Sequence, residues 1–155
     1  MRSIVTRVSG PDSSEIIILP PAGSRVPQQF RNVISSATAY QSILAQIQNF
    51  RGQIYLEDGA ITRAELAADG RHVLPIDQRS WHVMSIEKNG EIGGCLRFLE
   101  ESTDCRFEDL WLHKAALATS PSLGAKVRRA VEDKMARARE ERLRFGEVGG
   151  CGCAG

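Results

Sequence analysis

Ser80–Glu100 reads SWHVMSIEKNGEIGGCLRFLE, with two apolar runs, Trp81–Ile86 and Ile92–Leu99, on either side of Lys88-Asn89-Gly90. Asn-Gly between apolar runs is a strong hairpin signal, because a tight turn that matches strand twist needs φ > 0, which Asn and Gly tolerate. An antiparallel strand pair is therefore expected here. Its second strand carries two oddities. Gly93-Gly94 lies where glycine normally weakens pairing, which points to a bulge or to the close approach of a ligand or another backbone. Arg97 lies among Leu96, Phe98 and Leu99, which places a charge on a pocket wall or an outward face.

Upstream of the hairpin, Ala37, Tyr40, Leu44, Ile47, Phe50 or Arg51, and Ile54 recur at three- and four-residue spacing and predict a helix over 36–57 with one apolar stripe. Ser35 or Ser36 offers an N-cap and Asp58-Gly59 a stop, while Gly52 weakens the last turn. Thr62–Ala68 suggests a short helical turn ending at Asp69-Gly70, and Arg71–Leu74 an extended piece before Pro75. Glu15–Leu19 suggests a short strand halted by Pro20-Pro21, with turn or linker at Pro11–Ser14 and Pro20–Gln29. Residues 1–35 are thus read as a weakly organised segment and 36–155 as the domain proper.

Downstream, Phe107–Ala118 has helical character of mixed periodicity. A second long helix is expected over Ser122–Phe145, led in by Ser120-Pro121, with Leu123, Val127, Ala130, Val131, Met135 and Ala138 as its stripe. Phe145–Ala154, FGEVGGCGCA, reads as a glycine-rich strand. The expected fold is α/β or α+β, with helices packed on a small, mainly antiparallel sheet.

The 155 residues suffice to bury a core, and 42% hydrophobic with 25% charged residues is an ordinary globular composition. A net charge of +1 gives no reason to expect nucleic acid or an anionic membrane as partner. No apolar run approaches a spanning helix, and MRSIVTRVSG lacks a signal-peptide core, so the expectation is a soluble, cytoplasmic protein. Cys95, Cys105, Cys151 and Cys153 lack the paired spacing of a zinc ribbon. A site assembled from them with His72, His82 and His113 is disfavoured against plain buried or terminal cysteines, and no metal is expected.

Neither GxxxxGK[ST] nor GxGxxG after a strand occurs, and a GxSxG elbow is missing, which argues against P-loop and serine-hydrolase chemistry. The second long helix carries Lys126, Arg128, Arg129, Lys134, Arg137, Arg139, Arg142 and Arg144 against Glu132, Asp133, Glu140 and Glu141. Such a pattern reads first as a solvated face with pairs at helical spacing, and second as a docking surface for an acidic partner such as an acyl carrier protein. Glu147, entering a glycine-rich strand, is a candidate general base if it faces a cleft. On the residues alone, an edge-strand glutamate facing water or pairing with Arg97 is the better reading.

The hairpin followed by Glu-Ile-Gly-Gly-Cys-Leu-Arg resembles strands two and three of the GNAT superfamily of N-acyltransferases. More narrowly it is similar to the autoinducer-synthase-like branch, which includes long-chain N-acyl amino acid synthases. Arg51 with Tyr55 four residues on, Asp77 and less closely Asp69, Gly94-Cys95-Leu96-Arg97, and Glu147 match that branch over roughly 36–154. Ile61 stands near the place of an expected aromatic residue, and Gly149-Gly150 replaces a Ser-Arg pair, which disfavours homoserine-lactone synthesis.

The resemblance implies transfer of an acyl group from acyl-CoA or an acyl carrier protein to a small amine such as an amino acid. Glu147 would act as base, Arg51, Tyr55, Asp77 and Arg97 would bind the acceptor, and Gly149 and Gly150 would leave room for the donor's pantetheine arm. No permanently bound cofactor is implied. The family's donor-binding loop would begin where this sequence stops, so the resemblance implies a domain incomplete after its fourth strand. The alternative is a non-catalytic half-domain acting as an interaction module or remnant, with an open sheet edge that invites homodimerisation.

Overall fold

The computed structural model describes residues 14–154. The turn expected at Pro11–Ser14 lies outside them except for Ser14, as does the N-terminal MRSIVTRVSG. The fold is α+β. Four strands, β1 (Glu15–Leu19), β2 (Trp81–Ile86), β3 (Ile92–Glu100) and β4 (Gly146–Cys153), form one sheet in the order β1-β2-β3-β4. The main helices are α1 (Ala37–Glu57), the single-turn α2 (Ala116–Thr119) and α3 (Gly124–Glu140).

β1 pairs antiparallel with β2, Ile17 opposite Met84. β2 and β3 are the expected hairpin. Hydrogen bonds from Glu101 N to Phe145 O and from Ala154 N to Gly93 O fall in opposite chain order, which makes β3 and β4 antiparallel as well. The hairpin loop differs in detail from a two-residue turn. Glu87 N bonds to Glu91 O and Gly90 N to Glu87 O, so Lys88-Asn89-Gly90 is a three-residue loop in which Gly90, at φ +86°, supplies the left-handed residue. Asn89 instead braces the loop through its side chain, whose Oδ1 accepts from Glu91 N at 2.9 Å.

The described residues divide into two compact units, 14–97 with 149–154, and 98–148. In the first, the α1 stripe Tyr40, Leu44 and Ile47 packs with Ile17, Leu19, Met84 and Cys95 into one core. Ser36 caps the helix by accepting from Ala39 N at 3.3 Å, and Gly59 at φ +69° follows its end, as the sequence suggests. Residues 15–34, read from sequence as part of a weakly organised segment, are fixed at both ends. Ile17 and Leu19 are core residues, and Ile34 N bonds to Ile18 O. Arg71–Leu74 is irregular backbone rather than an extended strand, because Asp77 and α1 take up its polar groups.

The second unit has its own core of Cys105, Phe107, Leu110 and Met135, backed by Leu112, Val131 and Phe145. The helical character of Phe107–Ala118 resolves into single turns at Phe107–Asp109 and Trp111–Lys114 followed by α2. α3 begins at Gly124 and ends at Glu140, shorter at both ends than expected. Its exposed face is the solvated surface read from sequence, with Arg128–Glu132 and Arg137–Glu141 pairs one turn apart. Among the described residues no helix is long and apolar enough to cross a membrane.

Candidate functional site

The α1 stripe does not stay apolar. After Tyr40, Leu44 and Ile47 the same face continues with Gln48 and Arg51, both buried, and Arg51 is 0% exposed. A guanidinium is placed there only if its charge and donors are met. They are met by a segment that lies beyond the helix in sequence. Gly52 carries no side chain where the backbone of that segment crosses; a Cβ there would sit 2.8 Å from Gly70 O and 3.2 Å from His72 N. His72 N then bonds to Gln48 O at 3.1 Å. The mid-helix glycine, which the sequence suggests as a weak point, is thus the seat of a packed loop.

The segment ends in a single turn, Asp77–Arg79, that delivers Asp77 to Arg51. The pair is bidentate: Arg51 Nη1 donates to Asp77 Oδ1 at 3.1 Å and Nη2 to Oδ2 at 2.8 Å. Gln48 Nε2 and Leu74 N each add a hydrogen bond to Oδ2 at 2.9 Å. From β3, Arg97 brings Nη1 to 3.7 Å from Asp77 Oδ1. Asp77 is 1% exposed and Arg97 5%. One carboxylate is therefore approached by two guanidinium groups from different elements.

Burial alone would raise the Asp77 pKa, but the hydrogen bonds and charge of Arg51, with the Leu74 amide and Gln48, outweigh it. The carboxyl is held below its ordinary range. Two imidazoles complete the cluster. His82 Nε2 lies 2.8 Å from the carbonyl oxygen of Asp77, and His72 Nδ1 accepts from Arg51 Nε at 3.3 Å. Both histidines have lowered pKa values, first because burial disfavours the cation and then because Arg51 and Arg97 repel it.

Tyr55, one turn beyond Arg51, stands edge-on to His72 with ring centroids 5.5 Å apart. Its phenol pKa is raised, by burial first. Gly149 and Gly150 pass over the arginines. A Cβ on Gly149 would lie 3.3 Å from Arg97 Nη2, and one on Gly150, at φ +62°, 3.3 Å from Arg97 Cβ and 3.5 Å from Arg51 Nη1. What these glycines accommodate in the structure is arginine. The space beside Gly93 is likewise taken by the Glu87 side chain, and that beside Gly94 by Ser85 and the backbone of Gly152. The close approach inferred from sequence is made by the protein itself.

The structure therefore brings Arg51, Tyr55, Asp77, Arg97, Gly149 and Gly150 together in the first unit. Asp69 is exposed and pairs with Arg71 at 2.6 Å. Glu147 has a different setting, in the second unit. Oε2 accepts from Trp111 N and Oε1 from Leu112 N, each at 2.7 Å, so the carboxylate caps the turn Trp111–Lys114. That placement answers the question of what an acidic side chain does in this strand with a bond set rather than an open cleft.

Gln48 is not among the site residues expected from sequence, and His72 and His82 enter there only as disfavoured metal ligands. Gln48 and Arg51 at three-residue spacing, continuing an apolar stripe, were the available signal for a buried polar pair. Cys95 is buried, its thiol donates to Gly150 O at 3.4 Å, and its pKa is pushed up to about 11 by burial, so it is inert packing. All four cysteines are free, and no group of three or more His, Cys, Asp and Glu among the described residues could hold a metal ion. No protein-family model, curated protein or solved structure matches the chain.

Proposed function

We propose that the chain is an acyltransferase domain of the GNAT type, which transfers an acyl group from a thioester, on coenzyme A or an acyl carrier protein, to a small amine such as an amino acid. The observation that carries this reading is the convergence of Arg51, Asp77 and Arg97 at ion-pair distance under Gly149 and Gly150. Those residues lie on α1, a connecting turn, β3 and β4, and Arg51, Asp77 and Arg97 are among those on which the resemblance rests.

In the reaction the amine nitrogen attacks the thioester carbonyl carbon, the C–S bond breaks, and the leaving thiolate takes up the proton that the nitrogen loses. Arg51 and Asp77, fully buried, set the position of their neighbours rather than touch substrate. Tyr55 and His72, which are half-buried, form the part of the cluster that an acceptor reaches. Glu147 is left out of the proposed chemistry, because both of its oxygens serve main-chain amides. The test is calorimetric titration of the purified protein with acyl-CoA thioesters of increasing chain length, with an amino acid panel then added. Saturable binding followed by thiol release supports the reading, and a folded protein that neither binds nor releases thiol removes it.

A second reading, a non-catalytic binding module, is favoured by the burial of Arg51 and Asp77, whose partners fill the network from within the chain. It expects saturable thioester binding with no thiol release in the same titration.

A further inference from the structure

We propose that His72 is the positioning residue for Arg51, and that it holds the guanidinium only as the neutral imidazole protonated on Nε2. The geometry leaves one arrangement. A guanidinium stays protonated at every pH a protein meets, so Arg51 Nε–H is always a donor. The atom that meets it at 3.3 Å, His72 Nδ1, must therefore carry a lone pair, which fixes the ring proton on Nε2.

His72 holds Arg51 twice over. Its carbonyl oxygen accepts from Arg51 Nη2 at 2.5 Å while its ring accepts from Nε, and the guanidinium also donates twice to Asp77. Ring and carbonyl belong to the segment seated on Gly52, so Arg51 and that segment fix each other.

Adding a proton to His72 would turn Nδ1 into a donor facing a donor and set imidazolium beside guanidinium. The surroundings decide how readily this happens. Arg51 on α1 and Arg97 on β3 oppose the cation, Asp77 and Glu65 favour it, and the Tyr55 ring stands edge-on. Burial and Arg51 dominate, in agreement with the acceptor role of Nδ1. As the pH falls through the His72 titration, one of Arg51's side-chain bonds is lost and the segment 69–74 loosens from α1. As a statement about acceptor binding this rests on the proposed function; as a statement about Arg51 it does not.

The experiment is nitrogen-15 NMR on the full chain, reading the His72 ring nitrogens and the Arg51 Nε–H signal from pH 8 to pH 5. We expect His72 protonated on Nε2 alone at high pH, with Arg51 Nε–H slow to exchange, and fast exchange once His72 takes its second proton. H72Q offers an amide oxygen that never titrates, so its Arg51 signal should persist across the range. H72L removes the acceptor and should give fast exchange throughout. A His72 ring protonated on Nδ1 at high pH, or an Arg51 signal that ignores the His72 titration, overturns the proposal. Neither readout depends on acyl transfer, so a failure here is distinct from a protein that transfers nothing.

Discussion

At the residue scale, Asp77 does the most with one side chain. It accepts from two Arg51 nitrogens, Gln48 and Leu74, and lies within ion-pair reach of Arg97. A buried pair is costly to desolvate, so its presence is no guarantee of net stability, but removing one partner strands the other charge. Asp77→Ala should therefore destabilise the fold by about 3–5 kcal/mol, read as a lower midpoint in urea unfolding. The pH dependence has a definite sign. Asp77 has a lowered pKa in the folded state, so its contribution is complete at neutral pH and is lost as the pH falls below the usual carboxylate range of about 4. His72 and His82 act in the same direction at higher pH. Their folded pKa values are lowered, so the stability they support is complete above about 6.5 and declines below it. Urea midpoints measured from pH 8 to pH 3 should fall in two stages, the first of which H72Q reduces. At Glu147, replacement by Gln sets an NH2 group against a backbone N–H and should cost about 1–3 kcal/mol, measured in the same way.

At the scale of the element, α1 shows how a helix can be legible in outline and hidden in purpose. Its limits, its cap at Ser36 and its stripe follow from spacing and local hydrogen bonding, which a sequence displays directly. That the stripe ends in Gln48 and Arg51 at the same burial does not, because their partners lie 21 to 29 residues further on. Gly52 carries the sharpest prediction. In an exposed helix, Gly→Ala stabilises by about 1 kcal/mol. Here the added Cβ would meet two backbone atoms that cannot swing aside, so G52A should lower the unfolding temperature instead. Gly150 is the counterpart on β4. With φ at +62° and an added Cβ falling 3.3 Å from Arg97 Cβ, a β-branched residue is excluded by conformation and by space, and G150V should destabilise by at least about 1–2 kcal/mol. The β2–β3 hairpin was the most legible element, yet its loop holds one residue more than the Asn-Gly pair suggests, because Asn89 braces the turn with its side chain instead of adopting φ > 0 itself.

At the scale of the whole molecule, the α+β class and the antiparallel sheet could be read from local patterns, since each strand and both long helices have their own periodicity. Two things could not. The strand Glu15–Leu19 is short and flanked by prolines, and only its register against β2 reveals that it belongs to the core. The separate core around Phe107, Leu110 and Met135 sets α3 against a segment of single turns whose mixed spacing hides its inner face. Residue types alone did not group the buried network, whose members are far apart in sequence. Arg51, Asp77 and Arg97 are separated by the chain and joined by the fold, while Glu147, equally well matched as a letter, is occupied as a cap.

The proposal that this network organises a site for acyl transfer is tested most directly by mass spectrometry of N-acyl product after incubating the purified chain with an acyl-CoA series and an amino acid panel, for the natural sequence and for R97Q. We expect product with the natural sequence, and a loss of about tenfold or more with R97Q, equivalent to about 1.4 kcal/mol, while circular dichroism shows both folded. Folded protein that yields no product with any pairing, or R97Q at full rate, would contradict it.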